Sequence, residues 1–292
     1  MLDFRVETFL TVCETLNFTA AARKLGLTQP AVSQHIHFLE KQYGTALFLY
    51  QNKQLALTPE GEILRARLTT MADDEKTLQA ELRAQTFGLQ SLAIGVTMTV
   101  GEYAIVDRLA AFIKAHPDLN VHLHYGNTAQ LLSLLDSGQI RLAIVEGNYP
   151  RAQYARRTYS TEDYIAVCAP GHRFLSGPPQ TLSDLIGERL LVREKGSGTR
   201  NILENILTAR GLRIEDFIHY TEVENMHTLI GLLKRDCGIT FLYKIAVEDE
   251  LAAGGLVEIP VTDFKMQHNF DMIWRKDSIY SKENLEICKA FC

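Results

Sequence analysis

Two groups of residues have side chains suited to recognition. In the run LTQPAVSQHIHFLEKQY (27–43), helical spacing puts Gln29, Ser33, Gln34 and His37 on one face and Val32, Ile36 and Leu39 on another. Amide side chains pair bidentately with adenine in a major groove, and a serine hydroxyl donates or accepts there. Further on, three strand-to-helix junctions repeat one chemistry: Thr97 to Gly101 with Thr99, Asn127 with Thr128, and Gly196 to Arg200 with Ser197 and Thr199. Helix N-termini beyond strand ends offer unpaired N–H groups, so hydroxyls gathered there suit a small anionic group. Asn225, ahead of another helical segment, joins this set. Glu146 ends a strand on the same side, where it can pair with Arg200 or meet an amino group of a ligand. The competing reading is that each Ser, Thr or Asn only caps its own helix. Any one junction fits that reading, whereas three together favour a ligand cleft.

Other chemistry finds no anchor. His122 and His124 share a strand face but lack a third ligand, and rim histidines are expected rather than a metal site. Five cysteines, an odd number without a C-x-x-C pair, fit reduced thiols, and Cys288 and Cys292 are expected to be inert. Neither a G-x-S-x-G elbow nor a P-loop occurs, so no enzyme activity and no cofactor are expected.

The positioning elements follow from periodicity. A first amphipathic helix runs to Asn17. Thr19 is positioned to cap a second, stopped by Gly26, and Thr28 with Pro30 opens a third reaching about Tyr43. LFLYQNKQLALT reads as a hairpin around Gln51 to Gln54, with Lys53 at its tip; Lys41, Arg65 and Arg67 are further candidates for phosphate contact. From Thr58 and Pro59 a long helix carries Leu64, Leu68, Met71, Glu75, Leu78, Leu82 and Gln85 at steps of four and three, the seam of a two-helix coiled coil. From residue 90, strand-length apolar runs alternate with helical segments, which predicts parallel sheets covered on both faces, most simply as two lobes. The stretch 147–190 is expected to be helix-poor.

The 292 residues suffice for two or three domains, and 46% hydrophobic with 22% charged residues is a globular composition. Residues 1–90 hold nine Lys/Arg against ten Asp/Glu, a net of −1, so bulk charge does not announce a nucleic-acid partner. No apolar run is long enough to span a membrane, and acids stand where a signal peptide would be basic; a cytoplasmic protein is expected.

AAARKLGLTQPAVSQHIHFLE, followed by LFLYQNKQLALTPEG, a long helix and an α/β region opening with SLAIGV, resembles the LysR-type transcriptional regulators over essentially the whole length. The resemblance implies an α+β multidomain protein. Its parts would be a winged helix-turn-helix at 1–58, a linker and dimerisation helix at 59–89, and a two-lobed effector domain of the periplasmic-binding-protein type at 90–292. Lobe I would span about 90–160 and 266–292, and lobe II about 161–265. It places Gln29, Pro30, Ser33 and Gln34 at the start of a recognition helix. It also implies double-stranded DNA, a small, anionic effector, a homodimer or homotetramer, and RNA polymerase as partners. Gln34 stands where the family commonly has Arg, and the family's Arg-rich wing is reduced here to Lys53, which implies weaker phosphate anchoring. REKGSGTR and IVEG are most similar to the branch of sulfur-assimilation and carbon-fixation regulators. The alternative from another class is a two-lobed small-molecule-binding protein or enzyme with an N-terminal oligomerisation region.

Overall fold

The computed structural model describes residues 3–51, 54–87 and 90–291. Helix α1 (Phe4–Thr15) is capped by Asp3, whose carboxylate accepts the Arg5 N–H at 2.8 Å. Helix α2 (Phe18–Leu25) begins one residue before the expected cap. Asn17 Oδ1 accepts the Ala20 N–H at 3.0 Å, so Asn17 does the capping foreseen for Thr19, and α1 stops at Thr15 rather than reaching Asn17. Gly26, at φ +67°, ends α2 in the left-handed region that a Cβ disfavours. Thr28 caps α3 (Gln29–Tyr43), with Pro30 in its first turn.

Phe9, Val12, Ala21, Ala22, Val32, Ile36 and Leu39 close a small core under the antiparallel hairpin β1 (Phe48–Gln51) and β2 (Gln54–Leu57). Thr58 ties that hairpin to α4 (Pro59–Phe87). Its hydroxyl donates to the Ala46 carbonyl at 2.7 Å and accepts the Gly61 N–H at 2.9 Å.

The α4 stripe divides between two tasks. Leu64 and Leu68 pack into the head core, and burying Leu68 stabilises the head by roughly 1.5–3 kcal/mol. Met71 and Leu78 remain exposed, as does Ile63 on the same side of the helix. The expected seam is thus shortened at its N-terminal end, because the head needs those leucines to close its own core. The Gln85 side chain lies outside the described residues.

The remainder is built from β3 (Gln90–Val96), a π-helical turn Val100–Ala104, α5 (Val106–Ala115), β4 (Leu119–Tyr125), α6 (Thr128–Asp136) and β5 (Leu142–Val145). Then come β6 (Tyr154–Cys168), β7 (Arg189–Val192), α7 (Gly198–Thr208), β8 (His219–Glu222) and α8 (Met226–Leu233). The chain continues through β9 (Thr240–Tyr243), α9 (Glu248–Ala252), β10 (Val257–Glu258), β11 (Met266–Arg275) and α10 (Ser281–Ala290).

One lobe is centred on β3 with β4 and β5 parallel to it; the other gathers β7 and β8 in parallel, with β9 and β10 antiparallel to β6. β6 and β11 run antiparallel to each other through both, with a register shift between Phe270 and Asp271. The sheet is therefore mixed, not all-parallel as expected, and the helix-poor stretch contains the whole of β6. The alternating polar pattern of its first ten residues, YARRTYSTED, hid that part of the strand from a search for continuous apolar runs, while the apolar run from Tyr164 reads as strand.

Candidate functional sites in the head and the interlobe cleft

On the head, α3 presents the expected face. Gln29, Pro30, Gln34 and His37 are exposed and Ser33 is half-buried, while Val32, Ile36 and Leu39 anchor the opposite side. Gln29 Nε2 donates to Ser33 Oγ at 2.9 Å, and His37 Nδ1 lies 3.1 Å from Glu40 Oε2. Lys53 lies outside the described residues. Of the other cations foreseen for phosphate, Arg65 pairs with Glu62 at 2.6 Å and Arg67 with Asp277, which leaves Lys41 exposed. Arg23, exposed at the end of α2, is a cation that sequence reasoning passed over; its place beside Gly26 was the available signal.

In the second region the three junctions meet. Glu146, just after β5, is 2% exposed. Its Oε1 accepts the Thr99 hydroxyl at 3.4 Å and the Thr199 hydroxyl at 3.2 Å, and these two hydroxyls are themselves 3.4 Å apart. Tyr164 Oη donates to the Thr199 carbonyl at 2.9 Å, fixing the start of α7 against β6.

Two glycines permit this approach. A Cβ on Gly147 would come within 2.5 Å of Thr128 Oγ1, and one on Gly198 would collide with Glu146. Gly196, at φ +94°, faces the Asn127 amide. A polar cavity of about 230 Å³ opens beside Gly147, between the loop to Arg151 and residues Gln267 to Asp271 of β11.

Hydrogen bonding is incomplete here. Glu146 Oε2, Thr97 Oγ1 and Thr128 Oγ1 are all buried without a partner. Burial pushes the Glu146 carboxyl up to about 7, against the lowering pull of the Thr99 and Thr199 hydrogen bonds and of Arg193. The same burial, with the Glu146 charge nearby, raises the Tyr164 and Tyr243 phenols.

Arg200 departs from the expected pairing. Its guanidinium is held by Glu204 at 2.7 Å, Glu222 at 2.6 Å and the Arg193 carbonyl at 3.0 Å, so it does not meet Glu146. Buried Arg193, unforeseen from the sequence, forks onto Glu194 at 2.8 and 3.1 Å.

The capping alternative describes two candidates. Asn127 Oδ1 accepts the Gln130 N–H at 3.0 Å, and Asn225 Oδ1 accepts the Thr228 N–H at 2.9 Å. It does not describe Ser197, the N-cap of α7, which makes no side-chain cap bond, nor Thr199, whose hydroxyl goes to Glu146.

Elsewhere, His122 and His124 are exposed on one side of β4, Cys288 is buried in the core of the two-lobed region, and Cys292 lies outside the described residues. Among the described residues no helix is long and apolar enough to cross a membrane.

Residues 5–62 match the family model described as bacterial regulatory helix-turn-helix protein, lysR family, and residues 89–283 match the LysR substrate binding domain. The regulator CysL of Bacillus subtilis is 36% identical over 71% of this chain and 70% of its own. CbbR of Rhodospirillum rubrum is 31% identical over 93% and 89%. In three dimensions, ArgP from Mycobacterium tuberculosis superposes with a TM-score of 0.65 at 20% identity, covering 100% of this chain and 97% of that one.

Proposed function

From the premise that this chain belongs to the LysR family of transcriptional regulators, we propose a division of labour among its parts. The protein is a DNA-binding transcriptional regulator with an effector-binding domain, and its relatives are regulators rather than enzymes. In our reading residues 1–58 bind the operator, 59–89 pair two subunits, and 90–292 bind a small effector.

Base readout falls to Gln29, Ser33, Gln34 and His37, with Pro30 shaping the helix start and Lys53 reaching phosphate. The carrying observation is α3 itself: its apolar side is locked in the head while its amide-bearing side is exposed. Pairing through exposed Met71 and Leu78 gives a homodimer or homotetramer whose heads meet two half-sites. The effector occupies the cleft of Thr97, Thr99, Thr128, Glu146, Ser197 and Thr199, with its anionic end at the α6 N-terminus. Asn127 and Asn225 serve as frame, and Arg200 holds α7 in place rather than the ligand. Action in the cytoplasm, through RNA polymerase, follows from the family role.

Selection of binding sites from a random DNA pool, followed by footprinting with wild type and Q34A, tests the head assignment. An unselected pool, or an unchanged footprint and affinity for Q34A, would refute it.

A further inference from the structure

Resting on the reading that the interlobe cleft is the effector site, we propose that the effector carries a protonated nitrogen, an ammonium or guanidinium group, which donates to Glu146 Oε2. The ligand class is a small amino compound, most simply one with an acid group at its other end.

Buried carboxylates in proteins are paired or fully hydrogen-bonded, because taking an unmatched charge out of water is costly. Glu146 is neither. Oε1 collects both threonine hydroxyls, and Oε2, buried in the same place, collects nothing. Among the described residues no cation is hydrogen-bonded to it. Arg200 is committed to Glu204 and Glu222, and Arg193, the cation whose field reaches Glu146, is forked onto Glu194. The other titrating groups that feel Glu146 are the phenols of Tyr164 and Tyr243, both held neutral by burial.

The backbone is also shaped around this carboxyl. Gly198, at the first position of α7, has no side chain where a Cβ would strike Glu146, so the acid is accommodated rather than tolerated at a margin. A site meant for a bare anion would be served by the hydroxyls and helix N-termini alone, and a carboxylate beside it would repel the ligand. An N–H-bearing cation instead meets the unfilled acceptor and neutralises the buried charge. Thr97 and Thr128, whose hydroxyls are likewise buried and unpartnered, remain for the acceptor end of the molecule.

The test uses the full-length protein and three probe sets: diamines and agmatine, the standard amino acids, and nitrogen-free acetate, malate, sulfate and phosphate. Melting shifts and calorimetry are recorded for wild type, E146Q and T199V. The expected result is a melting-point rise with a member of the first two sets. Its Kd should tighten from pH 6 to pH 8 and weaken by about 10- to 100-fold in E146Q, the scale of one hydrogen bond to a charged group.

A nitrogen-free anion that acts alone, loses affinity as pH rises and weakens in T199V but not in E146Q would overturn the amino assignment while leaving the cleft in place. A nitrogen compound whose binding is indifferent to E146Q overturns it as well, and indifference to both variants removes the cleft too. No shift with any probe overturns both.

Discussion

Glu146 should destabilise the unliganded protein in a pH-dependent way, and Glu146→Gln reads that cost directly. Gln keeps an oxygen for the Thr99 and Thr199 hydroxyls and nearly the same shape, but cannot ionise. The native carboxyl holds its proton to about 7, whereas an unperturbed glutamate releases it near 4.5. Between these values the native state binds more protons than the unfolded state, so wild-type stability falls as pH rises; the loss is absent below the lower value and complete above the upper. At 1.36 kcal/mol per pKa unit the full loss is about 3 kcal/mol, of which about 1 kcal/mol has accrued by pH 5.5. The stability gap in favour of E146Q should thus widen by about 2 kcal/mol between pH 5.5 and pH 8. For a domain of this size that is a widening of roughly 4–8 °C in melting temperature. Melts must be run in amine-free and amino-acid-free buffers, so that nothing neutralises the carboxyl. Parallel melting curves for the two proteins across this range would refute the reasoning, since Glu146 would then be satisfied within the free protein.

Leu78→Asp places a charge in the pairing face of α4 and should dissociate the oligomer and abolish operator binding; sedimentation showing an unchanged oligomer would count against that face. Gln34→Ala should cost on the order of 1–3 kcal/mol on the selected operator and little on random DNA, and equal losses on both would remove its base contact. Gly198→Ala drives a methyl group into Glu146; it should cost about 1–3 kcal/mol in stability and abolish the effector-induced melting shift, and a surviving shift would contradict the close approach. Arg275→Ala takes the cation from Asp136, which keeps the Tyr154 hydroxyl at 2.7 Å and water contact, so the loss should be about 1–3 kcal/mol. Hydrogen exchange should then quicken in the middle of α4, and unchanged exchange there would mean that α4 is held by other contacts.

The head was legible because its signals are local. Gly26, Thr28 and Pro30 each act within one turn, and the structure places α3 where they put it. The strand and helix alternation after residue 90 was legible for the same reason, down to the junctions carrying Thr97, Thr128 and Thr199. What escaped depends on contacts distant in sequence. Arg200 shares a motif with Thr199, but Glu222, 22 residues on, claims its guanidinium. Glu146 reads as a strand end, and only the arrival of Gly198 beside it reveals why no side chain fits there. The α4 stripe looked like one seam because periodicity identifies a face without saying what covers it; the head core takes Leu64 and Leu68.

A route from the cleft to the head can be read along β11. The strand starts at Met266 opposite Tyr164 of β6, passes the register shift at Phe270 and Asp271, and ends at Arg275. Asp271 is buried at that shift and accepts the Tyr149 hydroxyl at 2.7 Å, so the strand is gripped where it passes beside the cavity. Arg275, also buried, donates to Asp136 at 2.8 Å, to the Ala66 carbonyl of α4 at 3.1 Å and to Thr70 Oγ1 at 3.0 Å. Just beyond it, Ser278 Oγ and the Ile279 N–H donate to Asp74 of α4 at 2.6 and 3.1 Å. A reorientation of the lobes would bend β6 and β11, the strands common to both, and a displacement of the end of β11 would act on α4 through these bonds. Allosteric coupling is typically 1–3 kcal/mol, and a net hydrogen bond contributes about 0.5–1.5 kcal/mol. If the proposed effector site is right, two or three bonds of this cluster, made in one lobe arrangement and broken in another, would be enough to carry a signal of that size from the cleft to the heads.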